Sequence, residues 1–321
     1  MSGPAAPVAD RFPRLKGQLF ARRILQAGLD ADRSASAYLF HGPPGCGKKT
    51  AALDLAGALM APGGPVDDRI ARGVHPDVRL HAPAGATFKV DQVRELLRDA
   101  SLRPFEGSRR VFILDRAETL NEASANALLK SIEEPGLGFT WILVTTQRAR
   151  ILPTIASRCQ SVRFHPLDDA TLMSVLAAEL KAGEAEARDL AALSGGSVRL
   201  AVWLRSEDGK AMLAQAEGFL EAAAAGGLVG RLNWAAGAGE DRRELDTLLG
   251  LLWVLLRERW AEAKGLPGAL RLMSQPPQHG RSLPLAVLER LLEALPQAQS
   301  DLGRNANVAL TLDALALAAE R

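Results

Sequence analysis

The chain has 321 residues, of which 47% are hydrophobic and 24% are charged, and its formal net charge is +2. This length and apolar content suffice for two or three domains, each with its own core. The small net charge excludes a molecule that is basic overall, and two cysteines are too few for a four-cysteine zinc site or a disulfide scaffold.

Short apolar runs alternate with helical patterns through the first half of the chain. Strands are predicted at residues 37–40, 77–80, 111–114, 141–144 and 160–164. Helices are predicted at residues 50–60, 90–100 and 121–134, with breaks at 61–65 and 135–136. Strands that alternate with helices indicate an α/β domain with a parallel sheet and right-handed crossovers.

The pattern becomes entirely helical after residue 166. Three short helices are predicted at residues 169–181, 184–193 and 197–204. Longer helices are predicted at residues 213–224, 244–264, 284–295 and 307–320. We therefore expect three domains: an α/β domain at 1–166, a small helical domain at 167–206 and an all-α domain at 207–321.

A glycine-rich motif, Gly-Pro-Pro-Gly-Cys-Gly-Lys at residues 42–48, lies between the first strand and the first helix. That context is typical of a P-loop, in which glycines let backbone N–H groups surround phosphate oxygens. Gly42, Gly45 and Gly47 are the candidate loop residues, and Lys48 is the candidate contact to the β and γ phosphates. A glycine turn that binds nothing is the alternative interpretation.

The next position departs from the motif. A P-loop requires Ser or Thr there, because its hydroxyl holds Mg²⁺, but this chain has Lys49. Thr50 follows one residue late, and a step of about 100° around the helix points it elsewhere. We therefore predict a degenerate nucleotide site of low occupancy, with no metal site and no required cofactor; Mg-ATP binding in this site is expected to be weak.

The strand at residues 111–114 ends in Asp115, where ATPases of this class place a Mg²⁺-supporting aspartate. The following residue would be the glutamate that polarises the attacking water, but it is Arg116, and Glu118 lies two residues further. For Asp115, the interpretation as a strand-end carboxylate that accepts a structural hydrogen bond is slightly favoured over a role in Mg²⁺ binding. Two departures in one site predict that the chain is not itself a working ATPase.

Three later blocks carry a family resemblance. Asn-Ala-Leu-Leu-Lys-Ser-Ile-Glu-Glu-Pro at 126–135 is similar to a segment of bacterial DNA polymerase III clamp-loader subunits. Trp-Ile-Leu-Val-Thr-Thr at 141–146 resembles their sensor-1 strand, and Ser-Arg-Cys at 157–159 resembles their SRC motif. The resemblance implies an AAA+ fold: a RecA-like P-loop domain, a three-helix lid and a helical collar for oligomerisation.

The clamp-loader family has two close branches. The γ/τ branch hydrolyses ATP and carries an intact loop, an Asp-Glu pair and a four-cysteine zinc module, whereas the δ′ branch often has a degenerate nucleotide site. Lys49, Arg116 and the lack of cysteines between residues 61 and 77 favour the δ′ branch. The missing cysteines depart from the best-known members of both branches.

The resemblance implies roles for three further residues. Arg158 resembles an arginine finger that acts in trans on a neighbouring subunit's ATP, and a surface arginine in a salt bridge is the alternative. Thr146 resembles sensor 1, with a buried strand-end hydroxyl as the alternative. Arg199 resembles sensor 2, or equally an arginine that ties the small helical domain to the first domain; both interpretations stay open.

The resemblance also implies a biological setting. We expect a non-hydrolysing subunit of the DNA polymerase III holoenzyme that helps to load the sliding clamp during replication. The expected partners are γ/τ and δ subunits, the sliding clamp, and primer–template DNA through the assembled complex. We expect a cytoplasmic protein without membrane contact, because no signal peptide or bilayer-spanning run is found. A catalytically active γ/τ-type ATPase is the alternative.

Overall fold

The structure, a computed structural model, describes residues 11–31, 33–61, 67–85, 87–107, 109–134, 138–225, 227–268, 272–274, 277–304 and 306–320. The chain divides into two compact units, Met1–Asp168 and Asp169–Arg321, and each is described by itself. The finer division of the second unit at residues 206 and 207 stays a prediction. The predicted breaks at 61–65 and 135–136 fall largely on residues outside the described ranges.

The first unit is built on a five-stranded sheet. Its strands are β1 Ala37–His41, β2 Val78–His81, β3 Arg110–Leu114, β4 Phe139–Thr145 and β5 Gln160–Arg163. Its helices are α1 Leu19–Asp30, α2 Lys48–Met60, α3 Asp68–Ala71, α4 Val90–Ala100, α5 Glu122–Glu133 and α6 Pro153–Ala156. The strand order is β2-β3-β4-β1-β5, and the described pairs are all parallel.

The sheet is covered on both faces, which explains its continuous apolar strands. Alternate side chains enter different cores: Phe40 and Ile142 pack with α1 and α2, whereas Leu39 and Trp141 pack with α4, α5 and α6. The phosphate-loop motif follows β1, which lies between β4 and β5. This arrangement confirms the predicted parallel α/β sheet.

Three helices of the first unit, α1, α3 and α6, were not predicted from the sequence. Helix α1 is amphipathic, with Ala21 and Leu25 buried in the core. Helix α6 has only four residues, too few to give a period, but it begins with Pro153 at a favoured position for helix starts. Because Ile155 of α6 is buried, this short helix is held by packing rather than by its own propensity.

The described part of the second unit is helical throughout, as predicted. Its helices are α7 Asp169–Leu180, α8 Glu184–Ser194, α9 Val198–Leu204, α10 Glu207–Ala225, α11 Gly227–Gly237, α12 Arg242–Ala263, α13 Leu285–Gly303 and α14 Val308–Ala318. Within the described ranges, none of the helices in the chain combines the length and the apolar character needed to cross a bilayer.

Helix α13 corrects one predicted boundary. The sequence predicted an end at residue 295, before Pro296, but the helix continues to Gly303. Proline lacks the N–H that would bond to the preceding turn, so this position weakens the helix. Ala298 and Leu302 lie beyond it and are both buried, and their packing keeps the chain helical past the proline.

Candidate functional site

The loop after β1 has the backbone of a phosphate loop. Gly42, Gly45 and Gly47 all have positive φ, at 148°, 75° and 95°. Side chains are strained in this region of backbone conformation. A Cβ at Gly42 would also lie 2.3 Å from the carbonyl oxygen of Phe164, so only glycine fits there. The three predicted glycines therefore form one loop at the N-terminus of α2.

Lys48 begins α2 and is buried beneath this loop, with 6% of its surface exposed. Its Nζ donates hydrogen bonds to the carbonyl oxygens of Gly42 at 2.7 Å and Pro43 at 2.5 Å. Burial lowers the pKa of the ammonium group, while the nearby Cys46, Glu118 and Asp115 act to raise it. The lysine is thus folded onto the loop's own carbonyl groups.

The two residues after Lys48 differ in exposure. Lys49 is exposed, whereas Thr50 is half-buried on the following position of α2. No hydroxyl stands at the position where the motif places its metal ligand. Lys49 and Thr50 both lie in the first turn of α2, and their effect on Mg²⁺ binding stays a prediction.

Asp115 and Arg116 form a tight turn at the end of β3. The Oδ1 atom of Asp115 accepts a hydrogen bond from the backbone N–H of Arg116 at 3.0 Å. Arg116 has φ 57° and ψ 45°, a left-handed conformation that few non-glycine residues adopt. The aspartate thus stabilises the turn, which is the structural hydrogen bond that the sequence favoured for it.

Thr146 and Glu118 meet across the end of the sheet. The Oγ1 atom of Thr146 donates to Oε1 of Glu118 at 2.9 Å, although the residues are 28 positions apart. Thr146 is exposed, so the buried-hydroxyl alternative for it was wrong; the buried one is Thr145, whose Oγ1 accepts from Gln147 N. Glu118 Oε2 is buried and has no hydrogen-bond partner among the described residues.

Positive side chains gather at this end of the sheet. His41 ends β1, and its pKa is lowered first by burial and then by the charges of Arg148, Arg163, Lys48 and His165. The sequence interpretation missed this group. Its signal was the position of basic residues at or shortly after the ends of β1, β4 and β5, because parallel strands end at one edge of a sheet. The carboxylates of Asp115 and Glu118 lie near Lys48 as well, so charges of both signs surround the loop.

Arg158 lies just after α6, and 42% of its side chain is exposed. Its Nε is 2.6 Å from Oε1 of Glu133, the last residue of α5. Its Nη1 donates to the carbonyl oxygen of Thr154 at 3.0 Å. The guanidinium is therefore charged, oriented and open to solvent, and the salt bridge weighed as its alternative is also present.

The remaining predicted residue, Arg199, lies in the second unit. It is exposed in the first turn of α9, where the Oγ of Ser197 caps the helix by accepting from Leu200 N at 3.2 Å. The sensor-2 interpretation of Arg199 and the interpretation as an arginine that ties two domains together both stay predictions.

Both cysteines are buried, and we expect them to be unreactive in the native protein. Burial raises the pKa of Cys159 from 9.0 to about 12, which reduces its thiolate fraction at pH 8 by roughly 10³-fold. In a Cys46→Ala variant, alkylation of Cys159 should therefore be far slower than in denaturant, as measured by mass spectrometry. Equal rates in the two conditions would contradict the burial of this thiol.

A family model described as "DNA polymerase III, delta subunit" matches residues 17–168. The chain is 36% identical over 153 residues to DNA polymerase III subunit delta′ of Bacillus subtilis, covering 45% of this chain and 46% of that protein. It is 39% identical over 175 residues to the delta′ subunit of Pseudomonas aeruginosa, covering 51% and 53%.

A gamma/tau subunit is similar to the same degree. The chain is 36% identical over 178 residues to DNA polymerase III subunit gamma/tau of Mycobacterium tuberculosis H37Rv, covering 52% of this chain and 30% of that protein. The matches thus span about half the length of the delta′ relatives and less of the gamma/tau relative. They indicate a common family without separating its two branches.

Proposed function

We propose that the chain acts as a δ′-type subunit of the DNA polymerase III clamp loader, on the basis of the family match over residues 17–168 and the similarity to delta′ subunits. It hydrolyses no ATP itself and supplies Arg158 in trans to the ATP site of a neighbouring subunit. The assembled complex then loads the sliding clamp onto primed DNA. The observation that carries this proposal is the oriented, solvent-open guanidinium of Arg158, in a chain whose own nucleotide site lacks two catalytic residue types.

The chemistry of phosphoryl transfer supports the trans role. Negative charge develops on the equatorial oxygens of the γ-phosphate during transfer to water, and a guanidinium stabilises it with a fixed planar set of donors. Arg158 is permanently charged and follows a helix whose Ile155 is anchored in the core. A neighbour's ATP can therefore meet a preorganised donor at the surface of this subunit.

The absence of intrinsic hydrolysis rests on the residues of the chain's own site. Lys49 supplies a charge where Mg²⁺ needs an oxygen ligand, and Arg116 stands where the water-polarising carboxylate belongs. Thr146 bonds to Glu118 instead of standing free for a γ-phosphate. An active γ/τ-type ATPase is the second candidate; overall similarity favours neither, and these residues favour the δ′ type.

The proposed partners follow from the family. We propose a cytoplasmic hetero-oligomer with γ/τ and δ subunits that acts on the sliding clamp and on primer–template DNA. With a net charge of +2, this subunit contributes to DNA contact through local groups in the assembled ring rather than as a basic molecule. We propose no polymerase activity for the chain.

The test of this function is ATP turnover with and without partners. The isolated chain should show no turnover above a protein-free control, and adding it to γ/τ and δ subunits should raise their DNA-stimulated turnover. Turnover by the isolated chain would instead support the γ/τ-type ATPase. A chain that neither assembles with those subunits nor changes their turnover would refute the δ′ role.

A single substitution tests the state of the nucleotide site. Wild-type binding of an ATP analogue should be weak and equal in Mg²⁺ and in EDTA. Lys49→Thr supplies the missing hydroxyl, and its binding should tighten about 10- to 100-fold with Mg²⁺, since an interaction with a charged group contributes about 1.5–3 kcal/mol.

Lys49→Met is the matched control for that measurement, because it removes the charge without adding a ligand. Isothermal titration calorimetry gives both affinities. If Lys49→Met acquires the same Mg²⁺ dependence, or if the wild type already has it, then Lys49 is not what prevents metal-assisted binding.

A further inference from the structure

The contact between Arg158 and Glu133 joins two segments that are 25 residues apart in the chain. The Nε atom of Arg158 lies 2.6 Å from Oε1 of Glu133 in a salt bridge, and 42% and 43% of the two side chains are exposed. A second acceptor, the Thr154 carbonyl oxygen, holds Nη1 at 3.0 Å. The salt bridge and the hydrogen bond engage two different nitrogen atoms, so together they restrain the guanidinium group.

The backbones that carry this contact are held by the core. Ile132 precedes Glu133 and is 4% exposed, while Ile155 and Cys159 flank Arg158 and are 1% and 9% exposed. All three belong to one buried cluster beneath α5 and α6. The two side chains therefore meet from rigid supports, so their contact orients the arginine with respect to the whole unit.

The contacts of the Arg158 guanidinium involve its Nε and Nη1 atoms. An arginine has five N–H donors; here Nη1 donates to the Thr154 carbonyl oxygen and, at 3.5 Å, to the hydroxyl of Ser157, while Nε lies in the salt bridge with Glu133. In the part of the chain that the structure describes, no hydrogen bond is found for Nη2. The outer edge of the guanidinium thus keeps donors for a ligand that this chain does not contain.

The carboxylate of Glu133 lies at the C-terminus of α5, where a negative charge is unfavourable unless a cation is nearby. Glu133 is the last residue of α5, and the C-terminus of a helix carries partial negative charge that disfavours a carboxylate. Glu134 follows directly, so two acidic residues stand at this helix end. The positive charge of Arg158 offsets this repulsion. The partial negative charge of the helix C-terminus in turn attracts the guanidinium group, in addition to the carboxylate of Glu133.

We propose that Glu133 is a positioning residue for Arg158. It holds Nε so that the Nη2 edge points outward, ready for the γ-phosphate of the neighbouring subunit's ATP. This inference rests on the proposed trans role of Arg158 and adds the residue that sets its geometry. Glu133 does not touch the nucleotide, so its effect passes entirely through the arginine.

The experiment is steady-state ATP turnover by the complex of the full chain with γ/τ and δ subunits, clamp and primed DNA. An exposed ion pair shifts an equilibrium by about 1.5- to 5-fold, and Glu133→Ala should lower kcat by about that factor with little change in KM. Glu133→Gln keeps an acceptor oxygen and should lose less. The adjacent Glu134→Gln is the matched control and should behave as wild type.

A double-mutant cycle separates positioning from a structural effect. In an Arg158→Ala background, Glu133→Ala should cause no further loss, because the arginine through which it acts is gone. If the same factor is lost in both backgrounds, or if Glu133→Ala raises turnover, the positioning role is overturned. If Arg158→Ala lowers turnover and Glu133→Ala does not, only this inference fails; if Arg158→Ala itself has no effect, the proposed function fails.

Discussion

Replacement of Arg158 by alanine should lower the rate of ATP hydrolysis at the neighbouring site by about 10³-fold, the lower range of arginine-finger effects. The chain's own site contributes no hydrolysis in this proposal, so the loss belongs to the partner. Arg158→Lys should recover little of the rate, because lysine keeps the charge but lacks the planar set of donors. The side chain is 42% exposed, so we expect either change to leave the fold intact.

The measurement is rapid-quench hydrolysis by the assembled complex, in which the fast phase from the site facing Arg158 should be lost. Gel filtration of the same sample verifies that the complex still assembles. Arg94→Ala is the control, since Arg94 is also exposed and paired, with Asp91 at 3.3 Å. An unchanged fast phase in Arg158→Ala would remove the trans role, whereas an equal loss in Arg94→Ala would show that the effect is not specific.

Asp77→Ala should lower the free energy of unfolding of the first unit by about 3–5 kcal/mol, as expected when one partner of a buried ion pair is removed. Asp77 is fully buried and accepts hydrogen bonds from the backbone N–H groups of Phe105, Glu106 and Gly107 at 2.8, 2.8 and 3.0 Å. Its Oδ1 also lies 3.6 Å from Nε of Arg110, which is 1% exposed. The substitution leaves these groups without their acceptor.

Hydrogen exchange of the β2 and β3 amides measures this loss in the first unit alone. Asp91→Ala is the control, because Asp91 is exposed and should change stability by less than about 0.5 kcal/mol. A loss for Asp77→Ala of similar size to the control would contradict the buried network.

The pH dependence of stability follows from the same group. Burial acts to raise the pKa of the Asp77 carboxyl, but the N–H donors of Glu106, Phe105 and Gly107 and the charge of Arg110 outweigh it and lower the pKa below 3.8. The carboxylate therefore stabilises the folded state above about pH 4, and this contribution is lost as the pH falls through the lowered pKa. Wild type should lose stability in that acidic range, and Asp77→Ala should lose less.

The sequence predicted the elements whose signal is local. Continuous apolar runs gave the strands, and the glycines between β1 and α2 gave the phosphate loop. The positive φ angles of Gly42, Gly45 and Gly47 agree with that motif, because glycine adopts positive φ without the steric strain that other residues have. The departures at Lys49 and Arg116 were equally visible, since a motif fixes residue types at fixed spacing.

Other features needed contacts that the sequence could not supply. Asp77 entered the sequence interpretation only as the first residue of the strand predicted at 77–80, and nothing local indicated that it would accept three backbone hydrogen bonds from a loop about 30 residues away. The salt-bridge partner of Arg158 could not be identified from the sequence either. Glu133 and Glu134 are neighbours of the same type, and only the packing of α5 against α6 decides which of them meets the arginine.

The sequence by itself determined the parallel α/β sheet, the helical second half, the phosphate loop and its two departures, because periodicity, glycine and motif spacing act over a few residues. The tertiary structure decided the pairing of Thr146 with Glu118, the gathering of positive side chains around His41 and the orientation of Arg158. These contacts depend on the strand order β2-β3-β4-β1-β5, which brings together the ends of strands far apart in the chain. Hydrogen bonds and charges act over a few ångströms of space, whatever the separation in sequence.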